Sequence, residues 1–334
     1  MIARSPRKAE QHAWVDELRA AYRDPLELLR DLGIPPAAAS YAPAAAERFA
    51  FRVPRPFATR MRHGDPHDPL LRQVLPIGAE LREVDGFGAD PVGDLAASPL
   101  PGLLHKYHGR ALLLLAGACA VNCRYCFRRE FPYQDAVGSP RLDAALAHVA
   151  ADTSLREIIL SGGDPLLLDD ARLAALAQAL AAIPHVERLR IHTRLPVVLP
   201  SRVTPALVAL LRDTRLRGVV VVHVNHAREI DGEVATALRT LGAAGVTCLN
   251  QSVLLRGVND DVDALVALSE SLFACGVLPY YLHLLDRVRG AAHFDVPPAT
   301  ARTLLAGLQA RLPGYLVPRV VREIAGAPAK VPFV

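Results

Sequence analysis

Six short apolar runs alternate with amphipathic stretches from residue 111 onward, and this alternation limits the possible folds more than any other feature. Continuous apolar runs are typical of strands buried on both faces, and the stretches between them have helical periodicity. Strands separated by helices pair in parallel, so the pattern predicts an α/β fold with a six-unit, partial (β/α) barrel. The predicted strands are Leu112–Gly117, Glu157–Gly162, Arg188–Thr193, Val219–Asn225, Val246–Leu255 and Leu278–Leu285, and the predicted helices lie near 141–151, 169–182, 204–213, 232–243 and 261–274.

The first hundred residues lack this alternation. Trp14 to Leu32 has helical periodicity, and stretches rich in proline and turn residues follow it. We therefore expect residues 1–100 to form a helical and irregular N-terminal extension that packs on the main domain. Residues 101–296 would form the partial barrel, and residues 297–334 a C-terminal helix and tail.

Composition excludes several classes of protein. Apolar residues make up 51% of the chain, which is typical of a globular protein, and its formal charge of +4 comes without a basic stripe for nucleic acid. The longest apolar run, Ala111 to Val121, is too short to span a bilayer. The charged N-terminus has no apolar segment behind it, so no signal peptide is predicted. We expect a cytoplasmic protein that binds neither membrane nor nucleic acid directly, and we leave a homo-oligomeric state open.

Three cysteines follow the first predicted strand in the spacing CxxxCxxC. They are Cys119, Cys123 and Cys126, and the chain has five cysteines in all. An odd number of cysteines in the reducing cytosol argues against a disulfide framework. Thiolates are the usual ligands of iron–sulfur clusters, and three of them leave one iron of a four-iron cluster open. Structural zinc, with His105 or His108 as the fourth ligand, is the alternative.

Two further features point to cofactor chemistry. The second predicted strand ends in Ser161-Gly-Gly-Asp-Pro165, where glycines allow a ligand to approach the backbone closely. Only Lys8, Lys106 and Lys330 are lysine among the 38 basic residues. Lysines that persist in such a composition are candidates for roles that arginine cannot fill, such as forming a Schiff base. By position alone, Lys330 could instead be a frayed surface lysine.

Five segments together resemble the lysine 2,3-aminomutase family of radical S-adenosylmethionine enzymes. The similarity covers roughly residues 50–334 and is closest to the short members that act in β-lysylation of elongation factor P. The segments are CAVNCRYCFRREFPY (119–133), SGGDPL (161–166), HTRLPVVLPSR (192–202), NQSVLLRGVND (250–260) and PYYLHLLDRVRGAAHF (279–294). The resemblance implies a [4Fe–4S] cluster on the three cysteines, S-adenosylmethionine and pyridoxal phosphate. It also implies conversion of L-α-lysine to (R)-β-lysine, which a separate ligase attaches to elongation factor P.

The resemblance further implies roles for individual residues. Lys330 would anchor pyridoxal phosphate, and Arg128 would bind the substrate carboxylate. For the phosphate we propose Lys106 and Arg110, with Tyr107 against the pyridine ring, because a dianion needs cations. The alternative for these cations is ordinary surface charge. Positions expected near S-adenosylmethionine are Gly162, Gly163, Asp164, His223, Asn225 and Gln251.

Two acidic residues would bind the distal ammonium of lysine. They are Asp286, at the end of the sixth strand, and Glu323, which stands where longer lysine enzymes have aspartate. We hypothesise that the extra methylene of Glu323 changes where the lysine chain lies and which hydrogen is removed. A 2,3-aminomutase for arginine or glutamate is an alternative, although two acids argue against glutamate. A non-catalytic zinc or iron–sulfur binding protein, or a structural partner of the factor or its ligase, also stays open.

Overall fold

The computed structural model describes residues 6–333, with side chains for residues 13–138 and 140–333. Residues 1–5, where the predicted extension begins and a signal peptide was not expected, lie outside the described residues, as does residue 334.

Between residues 6 and 333, nine strands form one sheet, in which they are ordered as in the sequence. Neighbours from β2 to β8 are parallel, whereas β1 and β9 pair antiparallel with β2 and β8 at the two edges. Since β1 and β9 are edges, the sheet is open. The strands are β1 Leu103–Tyr107, β2 Arg110–Ala116, β3 Glu157–Gly162, β4 Arg188–Thr193, β5 Arg217–Val222, β6 Thr247–Val253, β7 Leu278–His283, β8 Arg319–Arg322 and β9 Val331–Pro332.

The predicted α/β fold with six strand-and-helix units is confirmed, and the sheet has three further strands that were not predicted. The six predicted strands correspond to β2–β7, and the predicted bounds of β3 and β4 match residue for residue. Three short strands were missed. Of these, β8 extends the parallel ladder, while β1 and β9 add its antiparallel edges.

Helices occupy all five stretches predicted between the strands. Four of these helices have N-termini that are capped by side chains: Asp169, Thr204, Asp231 and Asp261 each accept a hydrogen bond from a backbone N–H of the first turn. Each cap is worth about 1 kcal/mol of helix stability. The helices are α1 Pro6–Arg19, α2 Pro25–Asp31, α3 Pro43–Arg48, α4 Arg55–Ala58, α5 Pro69–Arg72, α6 Tyr133–Ala136, α7 Ser139–Ala151, α8 Asp170–Ala181, α9 Leu195–Val198, α10 Pro205–Asp213, α11 Gly232–Ala243, α12 Val262–Ala274 and α13 Pro298–Arg311. Within residues 6–333, no helix has both the length and the apolar composition needed to cross a bilayer.

The helical periodicity from Trp14 to Leu32 does not correspond to one helix. The chain leaves α1 at Arg19 and starts α2 at Pro25. Proline has no N–H to donate and is favoured at the first position of a helix, and the Asp24 side chain accepts from Leu26 N at 2.9 Å. These two local signals override the periodicity.

The N-terminal segment packs into the same core as the sheet. Leu28, Phe57 and Leu70 lie in one hydrophobic cluster with Ile158 of β3 and Leu189 of β4. The expectation that this segment packs on the main domain is therefore confirmed. The domain boundaries proposed from sequence stay predictions.

Candidate active site

A cavity opens at the carboxyl ends of the parallel strands. Residues at the ends of β3 to β7 line it, namely Gly162, Thr193, His223, Val253 and His283. The N-terminal segment contributes Val92 and Asp94, and the C-terminal tail contributes Glu323 and Lys330. This is where active sites lie in (β/α) barrels, because the loops after the strands converge there.

The three clustered cysteines lie in the loop after β2, and all three line the cavity. The N-terminal segment holds this loop in place. Arg124, next to Cys123, donates to both carboxylate oxygens of buried Glu80, at 2.8 and 2.6 Å. Arg52 donates to the carbonyl oxygen of Cys119 at 3.0 Å. The loop is therefore fixed by residues far away in sequence.

The arrangement favours an iron–sulfur cluster over a single zinc ion. Thiolates that share one zinc ion lie about 4 Å apart, because a Zn–S bond measures about 2.3 Å. Among the described residues, the three cysteines do not form a group whose ligand atoms all lie within 4.8 Å of one another. His105, proposed as a fourth zinc ligand, instead groups with His148 and Asp152, and it does not line the cavity.

The Gly162-Gly163 pair at the end of β3 allows two backbones to approach each other. A Cβ on Gly163 would lie 2.1 Å from the carbonyl oxygen of Ala118, and one on Gly162 would lie 2.6 Å from that of Ala116. Gly162 also has φ +120°, which favours glycine. The glycines are thus needed to seat the cysteine loop against β3, a reason that the sequence pattern alone did not reveal.

Asp164, which follows the glycines, is buried and hydrogen-bonded through both carboxylate oxygens. It accepts from Leu166 N at 3.0 Å, from Thr193 Oγ1 at 2.7 Å and from Arg194 N at 2.8 Å. Burial raises its pKa to about 6, although these hydrogen bonds oppose the shift. Asp164 therefore ties the end of β3 to the end of β4. Its predicted contact with S-adenosylmethionine stays a prediction.

Charges of alternating sign form a chain across one wall of the cavity. Lys330 Nζ donates to Glu323 Oε2 at 2.5 Å, and Glu323 Oε1 lies 3.4 Å from Lys106 Nζ. Lys106 Nζ lies 2.6 Å from Asp94 Oδ1, whose other oxygen accepts from Arg128 Nε at 2.6 Å. Both surviving lysines with described side chains, Lys106 and Lys330, thus belong to one ionic chain in the cavity.

Asp286 lies in the same cavity as this ionic chain. Its Oδ1 is buried and has no hydrogen-bond partner among the described residues. Burial raises the pKa of Asp286 to about 7, and the negative charge of Glu323 adds to the shift, while Lys330 and Lys106 oppose it. A buried carboxylate without a partner is costly, so this atom marks a place that a cation or proton donor would fill.

Tyr107 and Arg110 lie together on the strand pair that borders the cavity. The Arg110 guanidinium stacks over the Tyr107 ring, 4.8 Å from its centroid. Within residues 13–333, no carboxylate comes within salt-bridge distance of Arg110, so its charge is available to an anion. Lys106 differs, because its three N–H donors already meet Asp94, Glu323 and the carbonyl oxygen of Val92.

Comparison with known proteins agrees with this geometry. The sequence pattern of the Radical SAM superfamily matches residues 113–268. The chain is 47% identical over 331 residues to the L-lysine 2,3-aminomutase of Haemophilus influenzae, covering 99% of this chain and 98% of that protein. It is 51% identical over 322 residues to the L-lysine 2,3-aminomutase of Escherichia coli, covering 96% and 94%. The L-lysine 2,3-aminomutase of Clostridium subterminale is 40% identical over 270 residues, which are 80% of this chain and 65% of that protein.

The chain belongs to the L-lysine 2,3-aminomutase family. This confirms the resemblance found in the sequence and makes the protein an enzyme of the isomerase class. Its superfamily implies a [4Fe–4S] cluster and S-adenosylmethionine. The three cysteines in the cavity fit that requirement, because they leave one iron free for the sulfonium cofactor.

All but one of the site residues predicted from the family resemblance line the cavity. Gln251 and His223 line it, but Asn225 does not. The Asn225 amide instead donates to Gln73 and Tyr125 and accepts from Val253 N. It holds the loop after β5 to neighbouring segments, and its predicted contact with S-adenosylmethionine stays a prediction.

Several cavity residues were missed from the sequence. His192 and His283 line the cavity beside His223, and the Nε2 atom of each of the three is buried without a partner among the described residues. Burial lowers the pKa of His223 to about 4, so its imidazole is neutral at neutral pH. Arg194 was also missed, and its Nη1 lies 2.6 Å from Cys123 Sγ. The position of His192 and His283 at strand ends was the one available signal.

Proposed function

We propose that this enzyme is a pyridoxal phosphate-dependent radical S-adenosylmethionine 2,3-aminomutase that converts L-α-lysine to (R)-β-lysine for modification of elongation factor P. One observation carries the substrate proposal. The cavity that holds the three cysteines also holds a basic group for a carboxylate, Arg128, and an unpartnered buried carboxylate, Asp286. An amino acid with a distal cation complements both groups.

The residues present fit the cofactors. Lys330 lines the cavity, and its Nζ lies 5.6 Å from the centroid of the Tyr281 ring. A lysine that anchors pyridoxal phosphate needs to be accessible from the cavity, and Lys330 meets this requirement. Arg110, which has no ionic partner among the described side chains, offers its charge to the phosphate, and Tyr107 offers an aromatic face. Lys106 is a second cation, although a phosphate there would have to replace one of its present partners.

When bound, the cluster with S-adenosylmethionine supplies hydrogen-atom abstraction, and pyridoxal phosphate stabilises the unpaired electron while nitrogen migrates. The chain's own residues orient the reactants. Arg128 can bind a carboxylate through charge-assisted hydrogen bonds, and Asp286 with Glu323 can hold an ammonium at the other end of the substrate. Two fixed ends place the carbon atoms between them, which is how a site gains rate from orientation.

The charges distinguish between substrates. Glutamate would place a second carboxylate beside Asp286 and Glu323, which like-charge repulsion disfavours. Relatives of 47% and 51% identity are named L-lysine 2,3-aminomutases, which supports lysine. The link to elongation factor P and the (R) product rest on the resemblance to the short members of the family.

The test is anaerobic turnover of L-lysine with S-adenosylmethionine, pyridoxal phosphate and a strong reductant. We expect β-lysine from the wild type, none from Lys330→Ala, and wild-type amounts from Lys8→Ala, the matched lysine control. Chiral analysis of the product and the mass of elongation factor P incubated with its ligase test the finer proposals. An intact cluster that cleaves S-adenosylmethionine without making β-lysine would show that lysine is the wrong substrate. An (S) product would refute the stereochemical part alone.

A further inference from the structure

Asp94 is a buried carboxylate in the segment before β1, and no family motif discussed above contains it. Its residue is 1% exposed. The segment that carries it is shaped locally, because Asp90 accepts from Asp94 N at 2.9 Å and from Leu95 N at 3.0 Å. The neighbouring Gly93, at φ +67°, lies against Ala325 of the C-terminal tail. Asp94 is thus held by hydrogen bonds within its own segment, which lies next to the C-terminal tail at Gly93.

Two cations share the Asp94 carboxylate. Arg128 Nε and Lys106 Nζ each approach a different oxygen at 2.6 Å. Burial opposes ionisation of Asp94, but Arg128 and Lys106 outweigh it and lower its pKa, so the group is a carboxylate at neutral pH. Removing it would leave two neighbouring cations, both largely shielded from solvent, without their common counterion, and such cations repel each other.

The contact decides which edge of Arg128 faces the substrate. A guanidinium presents N–H donors in a fixed planar fork. Nε is bound to Asp94, Nη1 donates to Ser161 Oγ at a longer 3.2 Å, and Nη2 has no partner among the described side chains. The edge formed by Nη1 and Nη2 is therefore the one left for a carboxylate. If Asp94 were absent, rotation of the guanidinium would no longer be restricted from the Nε side.

We propose that Asp94 is a positioning residue that fixes Arg128 for recognition of the substrate carboxylate. The inference rests on the proposed function for the identity of the substrate. Lys106 completes the arrangement, because its positive charge offsets the repulsion that Asp94 would otherwise exert on an incoming carboxylate. Asp94 therefore contributes to selecting an amino acid over an amine, without touching the substrate.

The experiment compares L-lysine with cadaverine, which is lysine without its carboxylate. Binding is followed by the absorbance of pyridoxal phosphate in cluster-loaded enzyme without S-adenosylmethionine, so that turnover is not required. In Asp94→Asn we expect the dissociation constant of L-lysine to rise about 10- to 100-fold, the effect of one charged hydrogen bond. The dissociation constant of cadaverine should change less than about threefold. Asp94→Glu, which keeps the charge, should restore much of the lysine affinity.

Controls separate positioning from a general defect. Asp143→Asn removes an exposed carboxylate of α7 that contacts neither cation, so it should not distinguish lysine from cadaverine. Arg128→Ala sets the size of the carboxylate effect. Equal weakening of both ligands in Asp94→Asn, or tighter binding of lysine, would overturn the inference while leaving the proposed function intact. A wild type whose absorbance responds to lysine but which makes no β-lysine would instead count against the proposed function.

Discussion

Replacing Asp286 by asparagine should stabilise the unliganded enzyme, and more so at high pH. The carboxylate is buried, and its Oδ1 has no partner among the described residues. Its pKa is raised from the usual 3.8 to about 7 by burial and by Glu323. Between these two values the folded protein retains a proton that the unfolded chain has lost. Stability therefore falls as pH rises through this window, and the loss is complete above the folded pKa.

The magnitude follows from the shift in pKa. A shift of about three pH units corresponds to roughly 4 kcal/mol, of which about half is present at pH 5.5 and nearly all at pH 8.5. Asparagine resembles the protonated acid in shape and cannot ionise. Asp286→Asn should therefore gain about 2 kcal/mol at pH 5.5 and about 4 kcal/mol at pH 8.5.

Thermal denaturation of the enzyme without lysine, followed by circular dichroism at both pH values, measures the difference. The gain in Tm should be larger by about 3 °C at pH 8.5. The exposed Asp143→Asn in α7 is the matched control and should change Tm little at either pH. An equal gain at both pH values, or a loss of stability, would refute the account of Asp286 as a buried carboxylate without a partner. Saturating L-lysine should raise the Tm of the wild type and not that of the variant.

Two further substitutions test the ionic chain and the glycine pair. Glu323→Gln removes the carboxylate that lies between Lys330 and Lys106, and it should destabilise the enzyme by about 1–3 kcal/mol at neutral pH. Because the cations lower the pKa of Glu323 against the effect of burial, this loss should shrink as pH falls below about 4, which pH-dependent denaturation would show. Gly163→Ala should displace the loop at Ala118, which precedes Cys119, and lower the iron bound per chain. Gly242→Ala, where nothing lies within 4 Å, should retain wild-type iron, and equal iron in both variants would contradict the packing argument.

The sequence predicted the strands whose apolar runs are long enough to be read locally. Glu157–Gly162 has six buried residues in succession, and its bounds were correct. The three missed strands lack a long apolar run. Leu103–Tyr107 ends in His-Lys-Tyr, Arg319–Arg322 is four residues long, and Val331–Pro332 is two. Leu103–Tyr107 pairs with the strand that directly follows it, and its polar residues interrupt the apolar run by which a strand is predicted. Arg319–Arg322 pairs with the distant Leu278–His283, so no local pattern could reveal it.

The site residues likewise divide into those that a sequence signal predicts and those that only tertiary contacts reveal. The cysteine spacing and the persistence of Lys106 and Lys330 are local signals, and the structure brings all of these residues to one cavity. Asp94 lies in a turn-like Asp-Pro-Val-Gly-Asp stretch, and only its contacts with Arg128 and Lys106 give it meaning. Ion pairs in this cavity join residues up to 217 positions apart in the sequence, as between Lys106 and Glu323. A single sequence gives no indication of such pairs.

Asp286 also bears on whether the substrate is lysine or arginine, which the net charge of the site alone does not decide. Its Oδ1 has no hydrogen-bond partner among the described residues, and burial without a partner lowers the stability of the fold. We expect a distal cation of the substrate to restore that stability on binding. Lysine and arginine both supply such a cation. An ammonium is a compact charge that can donate toward carboxylates from several directions, whereas a guanidinium donates in one plane. Asp286 and Glu323 belong to different segments, at the end of β7 and after β8. An ammonium can accept the geometry of two carboxylates that do not share a plane more readily than a guanidinium can, so we expect L-lysine to bind more tightly than L-arginine.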